Sequence, residues 1–145
     1  MYKRCDWPGN DPLMVEYHDN EWGVPVRDDR KWFEFILLDT FQAGISWRTV
    51  LHKRENFRKA FDDFDYRKIS LYGDKKVKAL LADSGIIRNK LKINAAINNT
   101  IVFLDVQKEF GSFDACIWQF TGGRQIVNQW KSLSQIPAVS KARCF

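Results

Sequence analysis

Residues 88–110 read RNKLKINAAINNTIVFLDVQKEF, and Gly111 follows them. Leu91, Ile93, Ala95, Ala96, Ile97, Ile101, Phe103, Leu104 and Val106 recur at a spacing that suits a 3.6-residue period. The stretch predicts the longest helix of the chain, ended by a glycine that can take the left-handed conformation found at helix ends. Immediately upstream, Ala82-Asp83-Ser84-Gly85-Ile86-Ile87-Arg88-Asn89-Lys90 joins it to a preceding helix through a short glycine-containing turn. A hairpin of this kind, with Arg88 and Lys90 just beyond the turn, can offer backbone N–H groups and cations to a phosphate. An ordinary corner between two helices with a basic outer face has the same pattern.

Working outward, the remaining signals are also helical. Asp11-Pro12 reads as an N-cap and first-turn proline opening a helix through Leu13, Val15 and Tyr17, which Trp22-Gly-Val-Pro25 breaks. Asp28 caps a second helix whose apolar positions, Trp32, Phe33, Phe35, Ile36 and Leu37, are too dense for an exposed face; it is expected to be central and to end at Gly44. Ser46 starts a third helix carrying Trp47, Val50, Leu51, Phe57 and Phe61 on one side. Asp65 and Asp74 cap two short helices, Phe113–Phe120 forms another, and Thr121-Gly-Gly-Arg124 is a turn with a small hairpin around it to Trp130. No repeat, low-complexity segment or linker divides the chain, so residues 1–145 read as one all-α domain.

At 145 residues, with 45% hydrophobic and 28% charged side chains, the chain has ordinary globular composition for one domain. Its longest apolar run, Phe35 to Leu38, is far short of a membrane span, and its start lacks the apolar region of a secretory signal. Three cysteines far apart, Cys5, Cys116 and Cys144, make no disulfide framework. These features predict a cytoplasmic protein without a membrane partner. Charge is uneven: residues 1–47 hold five Lys/Arg against nine Asp/Glu, whereas residues 48–145 hold eighteen against nine. The basic part suits an acidic partner such as nucleic acid, with Arg54, Arg88 and Lys90 expected to face flanking phosphates; solvated helix faces are the plainer explanation.

Chemically active side chains concentrate in two places. Cys5 and His18 are competent zinc ligands, but thirteen residues apart they lack a local partner pair, and a buried thiol with a hydrogen-bonded imidazole would look the same. Asp39 stands late in an otherwise apolar helix, where a carboxylate is costly unless paired or hydrogen-bonded, so it suggests a pocket accepting a ligand's donors; a solvent-facing helix end is the alternative. Trp47 follows a tight Gly-Ile-Ser link and is either core or, beside Tyr17, Trp7 and Trp22, part of an aromatic box for a flat ligand. No P-loop, G-x-G-x-x-G, G-x-S-x-G or H-E-x-x-H motif is present.

Taken together, Arg4-Cys5-x-Trp7, the run Tyr17-His18-Asp19-Asn20-Glu21-Trp22-Gly23-Val24-Pro25, Gln42-Ala43-Gly44-Ile45-Ser46-Trp47, Lys53-Arg54-Glu55-Asn56-Phe57 and Gly85-Ile86-Ile87-Arg88 resemble the 3-methyladenine DNA glycosylase I family. The likeness runs from the first residues to about Pro137. It implies an all-α, helix-hairpin-helix-type DNA glycosylase with a structural zinc tying its termini together. Matched position by position, Cys5 and His18 correspond to zinc ligands, Tyr17 and Asp39 to groups that hydrogen-bond the flipped base, and Trp47 to the ring that stacks on it. Trp7 and Trp22 correspond to further pocket aromatics, and Gly44 and Ile45 to the loop that approaches DNA. Family members usually carry Glu where this chain has Asp39, one methylene shorter. They also continue beyond this chain's last residues with a second His and Cys for the zinc, so a C-terminally incomplete domain with an atypical tail at about 138–145 is expected, its zinc absent or weakly bound.

The implied substrate is double-stranded DNA containing 3-methyladenine, bound by a monomer. Methylation at N3 leaves adenine cationic and its glycosidic bond weakened, so flipping the base and holding it in an aromatic box are the main tasks, and water completes hydrolysis. No lysine is placed for Schiff-base chemistry, which predicts a monofunctional glycosylase. The rival expectations are a catalytically impaired DNA-binding module and, resting on Cys5 and His18 alone, a small metal-binding regulator.

Overall fold

In a computed structural model, which describes residues 4–137, the chain forms eight α-helices and no strand among those residues. Helix α1 is Pro12–Asn20, α2 Asp29–Gln42, α3 Trp47–His52, α4 Arg54–Ala60, α5 Tyr66–Ile69, α6 Asp74–Ala82, α7 Lys90–Phe110 and α8 Phe113–Gln119; short 3-10 turns occupy Asp62–Phe64 and Leu133–Gln135.

Helix starts follow the caps. Asp11 accepts from the Leu13 and Met14 N–H groups, Asp28 from Lys31, Ser46 from Thr49 and Asn89 from Lys92. Asp74 departs from expectation. It occupies the first helical position behind Gly73 and makes no cap bond, leaving its carboxylate near the positive end of the α6 dipole.

Helix α2 is central. Phe33, Leu37, Leu38 and Phe41 are fully buried and pack against α3, α7 and α8. Helix α7 lies alongside it with Ile93, Ala96, Thr100 and Phe103 inward. That inward row leaves Leu91 and Ile101 outside, 80% and 51% exposed, although both fit the apolar count.

Two expectations need correction. The helix anticipated from Ser46 to Phe61 is two helices, broken at Lys53 (φ −97°, ψ 0°). No Gly or Pro marks this break; it lets Lys53, Arg54 and Asn56 reach partners on other elements, a tertiary preference overriding local propensity. The hairpin expected around Thr121–Arg124 is absent among the described residues. Gly122 and Gly123 both take positive φ (64° and 78°), and the following chain runs without strand pairing to Trp130. The expected tail at 138–145, including Cys144, lies outside the described residues.

Candidate active site

The C-terminal half of α1, the 21–26 loop and the outer face of α2 enclose a cleft of about 390 Å³. Tyr17 (α1), Trp22, Phe35 and Asp39 (α2) line it, with Trp118 and Gln125 opposite. Tyr17 is the hub of the aromatic wall: its ring lies 5.1 Å from Trp47, 6.3 Å from Trp7 and 6.4 Å from Phe35. Trp7 in turn lies 5.5 Å from Trp22 at an interplanar angle of 30°. His18 stacks on Trp22 at 5.4 Å, and Trp22 and Trp7 still remain 53% and 44% exposed.

The polar groups of the cleft are two of a kind. Among the described residues neither the Tyr17 hydroxyl nor the Asp39 carboxylate has a hydrogen-bond partner. Asp39 sits on the open rim, exposed as a residue, yet the aromatic walls exclude enough water to push its carboxyl above the ordinary aspartate value. Burial raises the Tyr17 hydroxyl too, assisted by the negative charges of Asp39 and Glu21. A proton-rich phenol beside an unpaired carboxylate gives one donor and one acceptor for a planar polar ligand between aromatic faces.

Sequence reasoning brought Tyr17, Asp39, Trp7 and Trp22 to one place. Trp47 packs on Tyr17 and is 8% exposed, and its indole N–H is buried with no partner among the described residues. Gly44 (φ 75°) and Ile45 form the short loop after α2, and Arg88 and Lys90 are exposed at the turn into α7.

Arg54 is the correction. Expected at phosphates, it is instead drawn inside: its side chain is 13% exposed, its Nη atoms grip Glu21 at 2.6 and 2.8 Å, and its Nε bonds Glu34 at 2.7 Å. The physical reason is Glu34, a carboxylate only 5% exposed, which takes Arg54, Arg58 (2.9 Å) and Lys31 (3.1 Å) as partners because a buried charge must be paired. Burial opposes the Arg54 charge, but the two carboxylates more than offset this and hold it protonated. The same bonds, with Lys31 at 2.9 Å, lower Glu21 to about 2 and fix the residue from which the Trp22 loop departs.

The far wall had no signal beyond the double glycine. Trp118 Nε1 donates to the Val26 carbonyl at 2.9 Å, the Arg27 guanidinium lies 3.7 Å over the Trp118 ring and donates to the Gly123 carbonyl at 2.7 Å, and Gln125 donates to the Gly23 carbonyl at 2.6 Å. These four contacts fasten α8 and the glycine turn to the 23–27 loop and close the cleft opposite Tyr17.

Beside the cleft, Cys5 Sγ lies 3.0 Å from His18 Nε2, and His18 Nδ1 lies 2.8 Å from Asp19. Arg4 and then His18 hold Asp19 well below the usual carboxylate range, so it can only accept, and Nδ1 carries the proton. Two ligands thus converge near the separation of about 3.5 Å that a tetrahedral zinc would impose, with a carboxylate orienting the imidazole. The fit stops at half a site. Among the described residues no three His, Cys, Asp or Glu side chains are grouped to hold a metal, and His52 is bonded to Asp11 at 2.7 Å.

The sequence matches the model of a family described as methyladenine glycosylase over residues 7–143. It is 44% identical over 140 residues to "DNA-3-methyladenine glycosylase 1" of Escherichia coli (strain K12), spanning 97% of this chain and 75% of that protein. It is 41% identical over 145 residues to "DNA-3-methyladenine glycosylase" of Haemophilus influenzae, spanning 98% and 78%. A crystal structure of 3-methyladenine DNA glycosylase I superposes with a TM-score of 0.91 at 46% identity, covering 97% of this chain and 77% of that one. The Staphylococcus aureus 3-methyladenine DNA glycosylase I, whose structure addresses 3-methyladenine recognition, superposes with the same 0.91 at 28% identity, over 95% and 73%.

Proposed function

The chain belongs to the methyladenine glycosylase family, and we propose that it hydrolyses the N-glycosidic bond of 3-methyladenine in alkylated double-stranded DNA, acting as a monofunctional base-excision enzyme. The observation that carries this reading is the pairing of the unpartnered Asp39 carboxylate with Tyr17 inside an aromatic-walled cleft. A 3-methylated adenine is a flat cation. Ring faces of Tyr17, Trp22 and Phe35 favour it over neutral adenine through their quadrupoles, by ~0.5–2 kcal/mol per good contact. Asp39 accepts a hydrogen bond from the exocyclic amine and adds negative charge, while the Tyr17 hydroxyl donates to a ring nitrogen.

Extrusion of the nucleotide costs a few kcal/mol and is cheapest for a damaged base. The leaving group is already cationic, so the C1′–N9 bond breaks with its electron pair returning to the purine, and water adds to C1′. Among the described residues no lysine lines the cleft, in keeping with hydrolysis without a Schiff-base intermediate. Trp47, packed on Tyr17, completes the aromatic wall on which the base stacks, and Gly44, Ile45, Arg88 and Lys90 engage the DNA. The chain acts as a monomer in the cytoplasm; no helix among the described residues is long and apolar enough to cross a membrane. Zinc, where present, has only Cys5 and His18 as ligands among the described residues, and two ligands hold it weakly.

Release of free 3-methyladenine from methylated duplex DNA, followed chromatographically, tests the reading. Release by the parent chain and its loss in Asp39→Asn are expected. Binding to DNA without release from any alkylated base would make the chain a DNA-binding module instead.

A further inference from the structure

We propose that Lys92 is a positioning residue that fixes the DNA-facing turn before α7 in register with the loop beneath the cleft. The proposal rests on the reading above, that this chain excises a base from DNA. Lys92 is the third residue of α7, where the helix dipole disfavours a cation, and no acidic residue stands in that first turn to compensate. Its placement therefore needs a reason outside its own helix.

The reason is the end of α2. Lys92 Nζ donates to the Phe41 carbonyl at 2.8 Å and to the Ala43 carbonyl at 2.5 Å. The Gln42 carbonyl between them is taken by the Ile45 N–H at 2.6 Å. The glycine turn at Gly44 satisfies the Gln42 carbonyl only, so without Lys92 the Phe41 and Ala43 carbonyls would lose this partner. The ammonium also sits at the negative end of the α2 dipole, where a cation is favoured. One side chain thus makes up for its unfavourable place in α7 by closing α2.

Two other observations show that this bond sets a register. Helix α2 is bonded along α7 at two further points, Thr40 to Asn99 at 3.2 Å and Asp29 to Gln107 at 2.5 Å. Lys92 is the member of this row next to the turn. The turn is bolted on its other flank as well: the Gly85 carbonyl accepts from Asn56 at 3.1 Å and Lys53 at 3.3 Å. Gly85 stands in a crowded place, since a Cβ there would lie 3.0 Å from Asp83 Oδ1 and 3.2 Å from the Asn56 amide. The 83–89 turn is thus held on both flanks, and Lys92 ties the start of α7 to the Phe41 and Ala43 carbonyls that lead into Gly44 and Ile45. Asp39 lies two residues before Phe41 on α2, where the Thr40–Asn99 contact holds the helix without Lys92.

This division sets the test. Lys92→Met keeps the length and removes the donors; Lys92→Arg keeps donors and charge; Lys108→Met, on the exposed end of the same helix, controls for loss of one positive charge. Amide hydrogen exchange, single-turnover excision at saturating DNA and affinity for free 3-methyladenine are measured on each. In Lys92→Met, exchange should quicken together at 42–46 and 83–89, and excision should fall roughly tenfold or more, as small misplacements of a reacting base do. Free-base affinity should stay at the parent value, and Lys92→Arg should restore excision. Faster exchange in only one of the two segments, unchanged excision, or a parallel loss of free-base affinity would each overturn the proposal. A parent chain that releases no base would remove the functional reading, and the exchange comparison would still decide whether Lys92 couples the two segments.

Discussion

Asp39 carries the most chemistry for its size, because nothing among the described residues neutralises it. Its carboxyl is raised by the apolar walls around it, so it takes up a proton at a higher pH than the value of about 3.9 usual for aspartate. A protonated carboxyl loses the acceptor and the negative charge that a cationic purine needs. Excision should therefore fail on the acid side above that ordinary value, and Asp39→Asn should show a low rate with no such acid limb; a parent profile flat down to pH 4 would dissociate Asp39 from catalysis. Asp39, Tyr17 and Trp22 announce themselves in the sequence because an acid in an apolar helix and clustered aromatics are expensive unless used. Phe35, Trp118 and Gln125 do not. Phe35 reads as one more core residue among Trp32, Phe33 and Ile36, and Trp118 and Gln125 reach the cleft only through contacts made about a hundred residues away along the chain.

Between elements, the decisive contact is the carboxylate pair Glu21 and Glu34 with Arg54, Arg58 and Lys31, which ties the Trp22 loop and α2 to α4. Sequence periodicity predicts helices from apolar spacing, and α1, α2 and α7 appear where it places them. It cannot see that Arg54 points inward, because a basic residue in a basic segment reads as solvent-facing until Glu34 is brought beside it. The break at Lys53 has the same origin. Glu34→Ala should leave its guanidinium partners underneutralised in a buried place, costing ~3–5 kcal/mol. At ~2–4 °C per kcal/mol for a chain of this size, the midpoint should drop by about 6–20 °C in a thermal melt. A drop within experimental scatter would show that solvent already screens the network. The sign with pH follows from Glu21. Its value, lowered to about 2, lies below the unfolded one, so its stabilisation is complete above pH ~4.3 and fades as pH falls toward 2.

Across the molecule, the uneven charge and the Cys5–His18 pair bear on how the chain would act as an enzyme. With Arg54 withdrawn, the exposed cations of the α6–α7 turn, Arg88 and Lys90, are the candidates for phosphate contact. The double substitution Arg88→Ala/Lys90→Ala should flatten the dependence of log K on log salt by about 1.8, at ~0.9 per phosphate; an unchanged slope would make this a solvated face. The chain spans about three quarters of the length of the curated relatives it matches. Cys5, His18 and Asp19 stand as half of a site should, with ligand atoms together and the imidazole tautomer set. Structural zinc owes its strength to four protein ligands closing a tetrahedron, and two ligands with water provide far less. The purified chain, dialysed against a mild chelator, should therefore retain well under one zinc per molecule by elemental analysis, and added zinc should protect the exposed Cys5 thiol from a thiol reagent only weakly. One tightly held zinc per chain would mean that Cys116, His52 or a residue beyond the described ones completes the tetrahedron, and the half site would have to be given up.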